Sequence, residues 1–234
     1  MKKSYSVLFI GNSYTYFNDM PNAIFEKMAK GAGYDVEVTV ITEGGYKLSQ
    51  WADPSDKHGA LACEALSGKK RYDFVVLQEQ SVLPASENVQ LFYSAVRTLC
   101  SKIRAIGATP VLYSTWGRKT GSPTLDEHGW TNEIMTNKLA RAYQAIGDEL
   151  NIAVAHAGLA FFDVYTNTNI ELYDADMTHP SYAGSYLAAA TLFAKIFNAE
   201  PKSEYFSGLL DEEVAQTLCN AAKSAVFTTP KIKE

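Results

Sequence analysis

Segments typical of strands and of helices alternate along this chain. Five short apolar runs rich in β-branched residues have the length of strands, and they lie at 5–10, 36–41, 74–77, 110–113 and 152–155. Each run is followed by a longer segment whose apolar residues have helical spacing. Strands separated by helices predict a mostly parallel sheet with helices on both faces, and nearly continuous apolar strands agree with burial on both sides. We therefore predict a three-layer α/β fold.

Start and stop signals place the helices between these strands. Pro21 suits a first helical turn that ends at Gly31 or Gly33, and Ser86 with Glu87 can open a long helix that closes near Gly107. Further helices are predicted at 131–150, 158–165, 181–197 and 211–226. The segment 116–130 has no period and follows the fourth strand, so we predict an active-site loop there. The polar residues 227–234 predict a frayed tail.

Bulk properties limit the class of protein. A chain of 234 residues with 47% apolar residues suits one domain, 1–234, with a sizeable core. The net charge of −5 comes without a basic patch, which disfavours nucleic acid and anionic membranes as partners and favours a small molecule. The chain has no run of 18 apolar residues, and no cleavage site follows its first apolar run. We predict a cytoplasmic protein of undetermined oligomeric state.

The cysteines and three of the histidines give no sign of a metal or a disulfide framework. Cys63, Cys100 and Cys219 are odd in number, widely separated and outside any C-x-x-C pair. The histidines at 58, 128 and 156 have no partner at ligand spacing. We predict neither a metal site nor a cofactor.

The predicted sheet determines which motifs can meet. In an open parallel sheet, ligands bind outside the carboxyl ends of the strands. The polar segments 11–13, 43–45, 78–81 and 114–116 each follow one of the first four strands, so they share one edge. The segment 176–180, which precedes a predicted helix, can return to the same edge.

The segment 176–180 has the composition of half a catalytic triad. Asp176 and His179 are three residues apart, so the carboxylate can hold one ring nitrogen and leave the other free as a base. A nucleophile is available in Ser13, which follows the first strand at the opposite end of the chain. A plain polar turn at 11–13 and a simple helix entry at 176–181 are the alternative interpretations.

These two blocks resemble those of the SGNH hydrolases, also called GDSL-like esterases and lipases, and the resemblance spans nearly the whole chain. Gly11-Asn12-Ser13 is similar to the family's first block, and Asp176 to Pro180 is similar to its last block. The resemblance implies a flavodoxin-like fold with a five-stranded parallel sheet. It also implies Ser13 as the nucleophile, His179 as its base and Asp176 as the orienting carboxylate.

The resemblance also implies an oxyanion hole. Its donors are the Ser13 amide, the amide of Gly45 (with Gly44 the alternative by one residue), and a side-chain amide after the third strand. The family usually has Gly-x-Asn-Asp there, whereas this chain has Gln78-Glu79-Gln80-Ser81. Gln80 stands at the Asn position, and Gln78 is the alternative donor. Both glutamines have a second interpretation, in which they satisfy backbone groups at the strand end.

The resulting hypothesis is a serine esterase that hydrolyses a small acyl ester, preferably acetyl and attached to a carbohydrate. Asn12, Gln78 and Trp116 are predicted substrate contacts, with Trp116 forming a wall of the pocket. A thioesterase or an acyltransferase would use the same triad. A non-catalytic sugar-binding module is the alternative from another class. A flavin or nucleotide binder is disfavoured because 11–15 lacks a fuller Gly-rich run.

Overall fold

The structure, a computed structural model, describes residues 4–68, 70–228 and 232. Five parallel strands form one sheet in the order β2-β1-β3-β4-β5. The strands are β1 Ser4–Gly11, β2 Asp35–Thr42, β3 Phe74–Leu77, β4 Thr109–Ser114 and β5 Ala153–His156. The predicted three-layer, flavodoxin-like α/β fold with a five-stranded parallel sheet is confirmed, and each predicted strand agrees with an observed one to within one residue at each end.

The helices cover both faces of this sheet. They are α1 Ser13–Tyr16, α2 Glu26–Gly31, α3 Leu48–Ala52, α4 Gly59–Ala65, α5 Val89–Ala105, α6 Pro123–His128, α7 Asn132–Leu150, α8 Ala157–Asn167, α9 Tyr182–Phe197 and α10 Glu212–Phe227. A π-helical turn, Met20–Phe25, precedes α2, and single 3-10 turns lie at Phe17–Asp19, Leu83–Ala85 and Ser203–Tyr205.

The alternation of side chains along β1 divides the core into two. Val7 and Phe9 pack with α2, α8, α9 and α10 on one face, while Leu8 and Ile10 pack with α3, α4, α5 and α7 on the other. All four side chains are fully buried, which explains why the strand is continuously apolar.

Local signals explain where two of the long helices begin. The side-chain hydroxyl of Thr131 accepts a hydrogen bond from the Ile134 amide at the start of α7, and that of Ser181 accepts from the Gly184 amide at the start of α9. The predicted starts of these two helices are therefore confirmed.

Short helices were missed by the sequence patterns. α3 and α4 lie between β2 and β3, and α6 lies inside the segment 116–130 that the sequence predicts as irregular. Pro123 occupies the first turn of α6, and Gly129 ends it with a φ of 63°. A helix of six residues is too short for a periodic pattern, so this part of the loop prediction is wrong.

The two chain ends lie partly outside the described residues. Helix α10 continues to Phe227, and 229–231 and 233–234 of the predicted frayed tail are not described. Within the described ranges, none of the helices has both the length and the hydropathy needed to span a bilayer.

Candidate active site

Three side chains from opposite ends of the chain meet at the carboxyl edge of the sheet. Nε2 of His179 lies 2.8 Å from Oγ of Ser13, and Nδ1 of His179 lies 2.5 Å from Oδ2 of Asp176. Ser13 begins α1 directly after β1, whereas the other two residues lie in the loop before α9. The structure therefore joins the three residues that the sequence predicts as nucleophile, base and orienting carboxylate.

The Asp176 carboxylate organises the loop that carries His179. Its Oδ1 accepts hydrogen bonds of 2.9 Å from the amides of Thr178 and His179, while Oδ2 faces the imidazole. Burial by itself would raise the pKa of Asp176, but the hydrogen bonds from the ring and amide of His179 and from the Thr178 amide outweigh it and lower this pKa. Asp176 is thus an ionised acceptor that sets the orientation of the ring.

The turn that carries Ser13 is fixed by hydrogen bonds to β3 and to the second loop. The Asn12 amide donates to Oε1 of Gln78 over 2.9 Å, and the Asn12 side chain accepts from the Tyr14 amide and donates to the Tyr46 carbonyl. A Cβ on Gly11 would lie 2.7 Å from that same Gln78 oxygen, so glycine permits the close packing of the turn. Ser13 is therefore held in place by its neighbours.

Aromatic rings support His179 from two sides. The Phe17 ring stacks on the imidazole with centroids 4.1 Å apart and planes at 5°, and the Tyr14 ring lies at 5.6 Å. No sequence signal indicated Phe17, because it lies in an irregular turn after α1 and reaches the imidazole only through the fold.

A cavity of about 240 Å³ opens at this edge of the sheet. Its lining combines the reacting groups with polar side chains from the neighbouring loops: Asn12, Ser13, Tyr14, Gly45, Gln80, Ser81, Arg118, Thr178 and His179. Four of these, Tyr14, Ser81, Arg118 and Thr178, were missed by the sequence reasoning. The only hint for Arg118 was its position in the segment predicted to be functional.

The second loop presents Gly45 to the cavity. Gly45 has a φ of 71°, while the Gly44 amide donates to its neighbour's carboxylate, Oε1 of Glu43. Gly45 lines the cavity and Gly44 does not. Of the two glycines between which the sequence left a choice, the geometry therefore favours Gly45 as the donor.

Gln80 lies at the cavity with its amide fixed in orientation. Its Oε1 accepts hydrogen bonds of 3.0 Å from the amides of Val82 and Leu83. No acceptor among the described residues engages its Nε2, so this residue of the cavity lining keeps a side-chain donor available. The backbone-satisfying role and the donor role, which the sequence presented as alternatives, are compatible in this side chain.

The structure does not place Gln78 at the cavity. This side chain is fully buried, its Oε1 accepts from the Asn12 amide and from Oγ1 of Thr15, and its Nε2 donates to the Glu79 carbonyl. Its predicted substrate contact and its role as alternative oxyanion donor are corrected, because the folded chain uses both ends of the amide internally.

Trp116 and Asn12 are also placed differently from the substrate contacts that the sequence predicted. Trp116 is 1% exposed and lies between the rings of Phe161 and Tyr14, so it supports the cavity from behind rather than forming its wall. Asn12 lines the cavity, but both ends of its side-chain amide are engaged with backbone groups. Both residues therefore shape the site without offering a free polar group to a substrate.

The buried carboxylate of Glu79 connects the loop of Gly45 with the loop of Gln80. Oε1 of Glu79 accepts from the Leu48 amide at 3.0 Å and from the Gln80 amide at 2.6 Å. Burial raises the pKa of Glu79 to about 7, although these amides favour its ionised form. The loops of Gly45 and Gln80 are thus joined through one side chain.

Similarity to solved structures agrees with this geometry. A candidate SGNH hydrolase from Slackia heliotrinireducens is 32% identical, with a TM-score of 0.72 over 83% of this chain and 100% of that chain. A DUF4886 family protein from Bacteroides uniformis is 17% identical, with a TM-score of 0.83 over 99% and 98%. An acetylxylan esterase from Geobacillus stearothermophilus is 14% identical, with a TM-score of 0.61 over 84% and 96%. No protein-family model matches, and no curated protein matches.

A parallel sheet of this strand order, with serine, histidine and aspartate gathered at its carboxyl edge, defines a hydrolase fold of the SGNH class. The chain belongs to the SGNH hydrolase superfamily, as its 32% identity to the Slackia protein over that protein's full length shows. The resemblance stated from the two end blocks is thereby confirmed.

Proposed function

We propose that this protein is a serine hydrolase of carboxylic esters. The observation that carries this proposal is the continuous hydrogen-bonded series from Ser13 through His179 to Asp176, beside a cavity that Ser13 and His179 line together with Gly45 and Gln80. Esterases among the structural neighbours support the reaction class.

In the proposed reaction, Ser13 Oγ attacks the ester carbonyl while Nε2 of His179 accepts its proton. Nδ1 of His179 donates to Asp176, which fixes the tautomer and stabilises the imidazolium. His179 then returns the proton to the leaving alcohol, and an acyl-enzyme remains on Ser13. Water, deprotonated by the same imidazole, releases the acid and restores the serine.

The developing oxyanion requires donors that are already in place. The amides of Ser13 and Gly45 and the Nε2 group of Gln80 are the proposed donors. Each such donor typically contributes about 3–4 kcal/mol to transition-state stabilisation.

The substrate proposed is an ester of a small acyl group such as acetyl, carried on a carbohydrate. A cavity of about 240 Å³ is small for a ligand pocket, which supports a short acyl chain over a long one. The acetylxylan esterase from Geobacillus stearothermophilus is a neighbour in fold that acts on an acetylated sugar polymer, as its name states.

The decisive variant is Ser13→Ala. We expect it to lose hydrolysis of 4-nitrophenyl acetate and labelling by a fluorophosphonate probe while keeping the melting temperature of the wild type. Ser67→Ala, at an exposed serine whose hydroxyl donates to the Glu64 carbonyl, is the matched control and should behave as wild type.

Turnover by Ser13→Ala at the wild-type rate would refute the proposal. An unlabelled and inactive wild type would favour a binding module instead. Rates on acetyl against octanoyl esters, and on acetylated xylose, test the acyl length and the carbohydrate.

A further inference from the structure

Arg118 is a cation enclosed at the wall of the candidate active site. Its side chain is only 7% exposed, and it lines the same cavity as Ser13 and His179. Its backbone is held from α7, because Nδ2 of Asn132 donates to the Arg118 carbonyl at 2.7 Å. The residue is therefore fixed in place at the cavity and is not a mobile surface arginine.

The guanidinium group has few partners for a buried charge. Nη2 donates to Oγ of Ser81 at 2.8 Å, and the group lies over the Tyr14 ring at 5.2 Å from its centroid. Nε and Nη1 are buried, and neither has an acceptor among the described residues. Asp176 attracts the charge through space, but no carboxylate in the described part of the chain forms an ion pair with it.

Lys119, the next residue in the sequence, differs from Arg118 in its ion pairing. Lys119 forms an ion pair with Glu171 at the surface, whereas Arg118 is buried and forms no ion pair with any residue that the structure describes. Burial lowers the pKa of Arg118 to about 10, which still leaves it protonated at neutral pH. A charge that is buried without a partner is costly, and such groups are usually paired with another charge. An anion supplied by a ligand would complete this site.

We propose that Arg118 binds a carboxylate of the substrate, so that the enzyme prefers esters carrying a carboxylate near the scissile bond. This inference rests on the proposed ester hydrolysis by Ser13. A carboxylate suits the group because a guanidinium binds it through charge-assisted hydrogen bonds, and because it is small enough for the cavity. The carboxylate can belong to the acyl group or to the alcohol, and the experiment separates these sources.

The first arm of the test places the carboxylate on the acyl group. Mono-4-nitrophenyl glutarate is compared with 4-nitrophenyl 5-methylhexanoate, in which an isopropyl group of similar shape replaces the carboxylate. The second arm places it on the alcohol and compares acetoxyacetate with acetoxyacetamide by acetate release. We expect wild-type kcat/KM to be at least tenfold higher for the charged member in one arm, and that arm identifies the source.

Variants at Arg118 connect this preference to the residue. Arg118→Gln should lower the charged-to-neutral ratio of kcat/KM at least tenfold, mainly through KM for the charged ester. Arg118→Lys keeps the charge without the planar fork, and should retain part of the preference. Arg71→Gln removes an equal charge from an exposed position at the opposite edge of the sheet, and should keep the wild-type ratio.

Three results would overturn the inference: no charged preference by the wild type in either arm, an unchanged ratio in Arg118→Gln, or an equal loss of ratio in Arg71→Gln. If the Arg118 variants do not fold, competition on the wild type decides. Glutarate should then inhibit 4-nitrophenyl acetate hydrolysis competitively and more strongly than glutaramide, and equal inhibition would refute the proposal. Activity remaining in Ser13→Ala would instead refute the proposed function.

Discussion

The two sides of the cavity are built differently. On one side, Ser13, His179 and Asp176 are joined by two hydrogen bonds near the surface, and the Asp176 side chain is about half exposed. On the other side, Glu79 and Arg118 are buried ionisable groups that each have at least one polar atom without a partner in the described residues. The blocks that carry the first side, 11–13 and 176–180, resemble those of the family, whereas the block 78–81 on the second side departs from the family's usual sequence.

This difference suits the different roles that we propose for the two sides. In the proposed reaction, the three triad residues need correct orientation, which hydrogen bonds and the ring of Phe17 provide. The proposed oxyanion donors on the opposite side must be held still around a developing charge, and buried polar groups fix the loops that carry them. Removing a triad side chain should therefore abolish the reaction, while changes on the opposite side should alter rate, specificity or stability according to the residue.

The largest effect is expected on the triad side. His179→Ala should lower kcat for 4-nitrophenyl acetate by about 10³-fold or more, because the Ser13 proton then has no acceptor. Steady-state kinetics measure this loss, and the melting temperature should change little. His128→Ala, at an exposed histidine stacked on Trp130, is the control. A loss below tenfold would mean that His179 is not the base.

The next effect separates the two glutamines of the opposite side. Gln80→Ala should lower kcat by roughly 10²- to 10³-fold with little change in KM, because it removes a donor to the oxyanion. Gln78→Ala should instead destabilise the fold by about 1–3 kcal/mol, since it leaves the Asn12 amide and the Thr15 hydroxyl without their acceptor. Kinetics and urea unfolding on both variants make the comparison. The reverse pattern would assign the donor role to Gln78.

The buried carboxylate should give the fold a measurable pH dependence. The pKa of Glu79 is raised from 4.5 to about 7 in the folded protein. Between these values, the folded protein keeps a proton that the unfolded chain has lost, so the contribution of Glu79 to stability falls as pH rises from about 5 to about 7. The total change from this group is at most about 3 kcal/mol.

Urea unfolding from pH 5 to pH 8 measures this contribution. Glu79→Gln keeps an oxygen for the Leu48 and Gln80 amides but does not titrate, so the Glu79 part of the decrease in unfolding free energy should disappear. Glu127→Gln, at an exposed glutamate in α6, serves as the matched control. Identical pH profiles for the wild type and Glu79→Gln would contradict the burial argument.

The smallest effect is expected at Phe17. Phe17→Leu removes the ring that stacks on His179, and such contacts contribute about 0.5–1.5 kcal/mol. We expect kcat/KM to fall by roughly two- to tenfold, because His179 is oriented less firmly. Phe227→Leu, at a partly exposed phenylalanine at the end of α10, is the control. An unchanged kcat/KM would show that Asp176 alone orients the imidazole.

Much of the fold and half of the site could be predicted from local patterns. The strands are continuously apolar because both their faces are buried, and Asp176 and His179 meet because they lie three positions apart in one loop. The helix starts at Thr131 and Ser181 follow from a side chain bonding to an amide three residues later. Each of these features depends on neighbours close in sequence, and the rule for parallel sheets then predicted that Ser13 shares their edge.

The other half of the site depends on contacts between distant segments. Gln78 and Gln80 differ by two positions and have the same side chain, yet one is buried against the Ser13 turn and the other faces the cavity. Trp116 lies behind the cavity because Phe161 and Tyr14 occupy its two faces. Such outcomes depend on how side chains from distant segments pack together, and no local sequence pattern predicts that.

The sequence by itself predicted the strands, the edge of the sheet that carries the site and the three residues of the proposed triad. Periodicity and short spacing, which are local properties, predicted the strands and the Asp176–His179 pair, and the rule for parallel sheets placed Ser13 at the same edge. The tertiary structure alone decided that Glu79 joins two loops, that Phe17 supports His179 and that Arg118 is enclosed without an ion-pair partner in the described part of the chain. Burial and pairing are properties of the packed molecule, because a charged residue in a sequence becomes costly or useful only through what surrounds it.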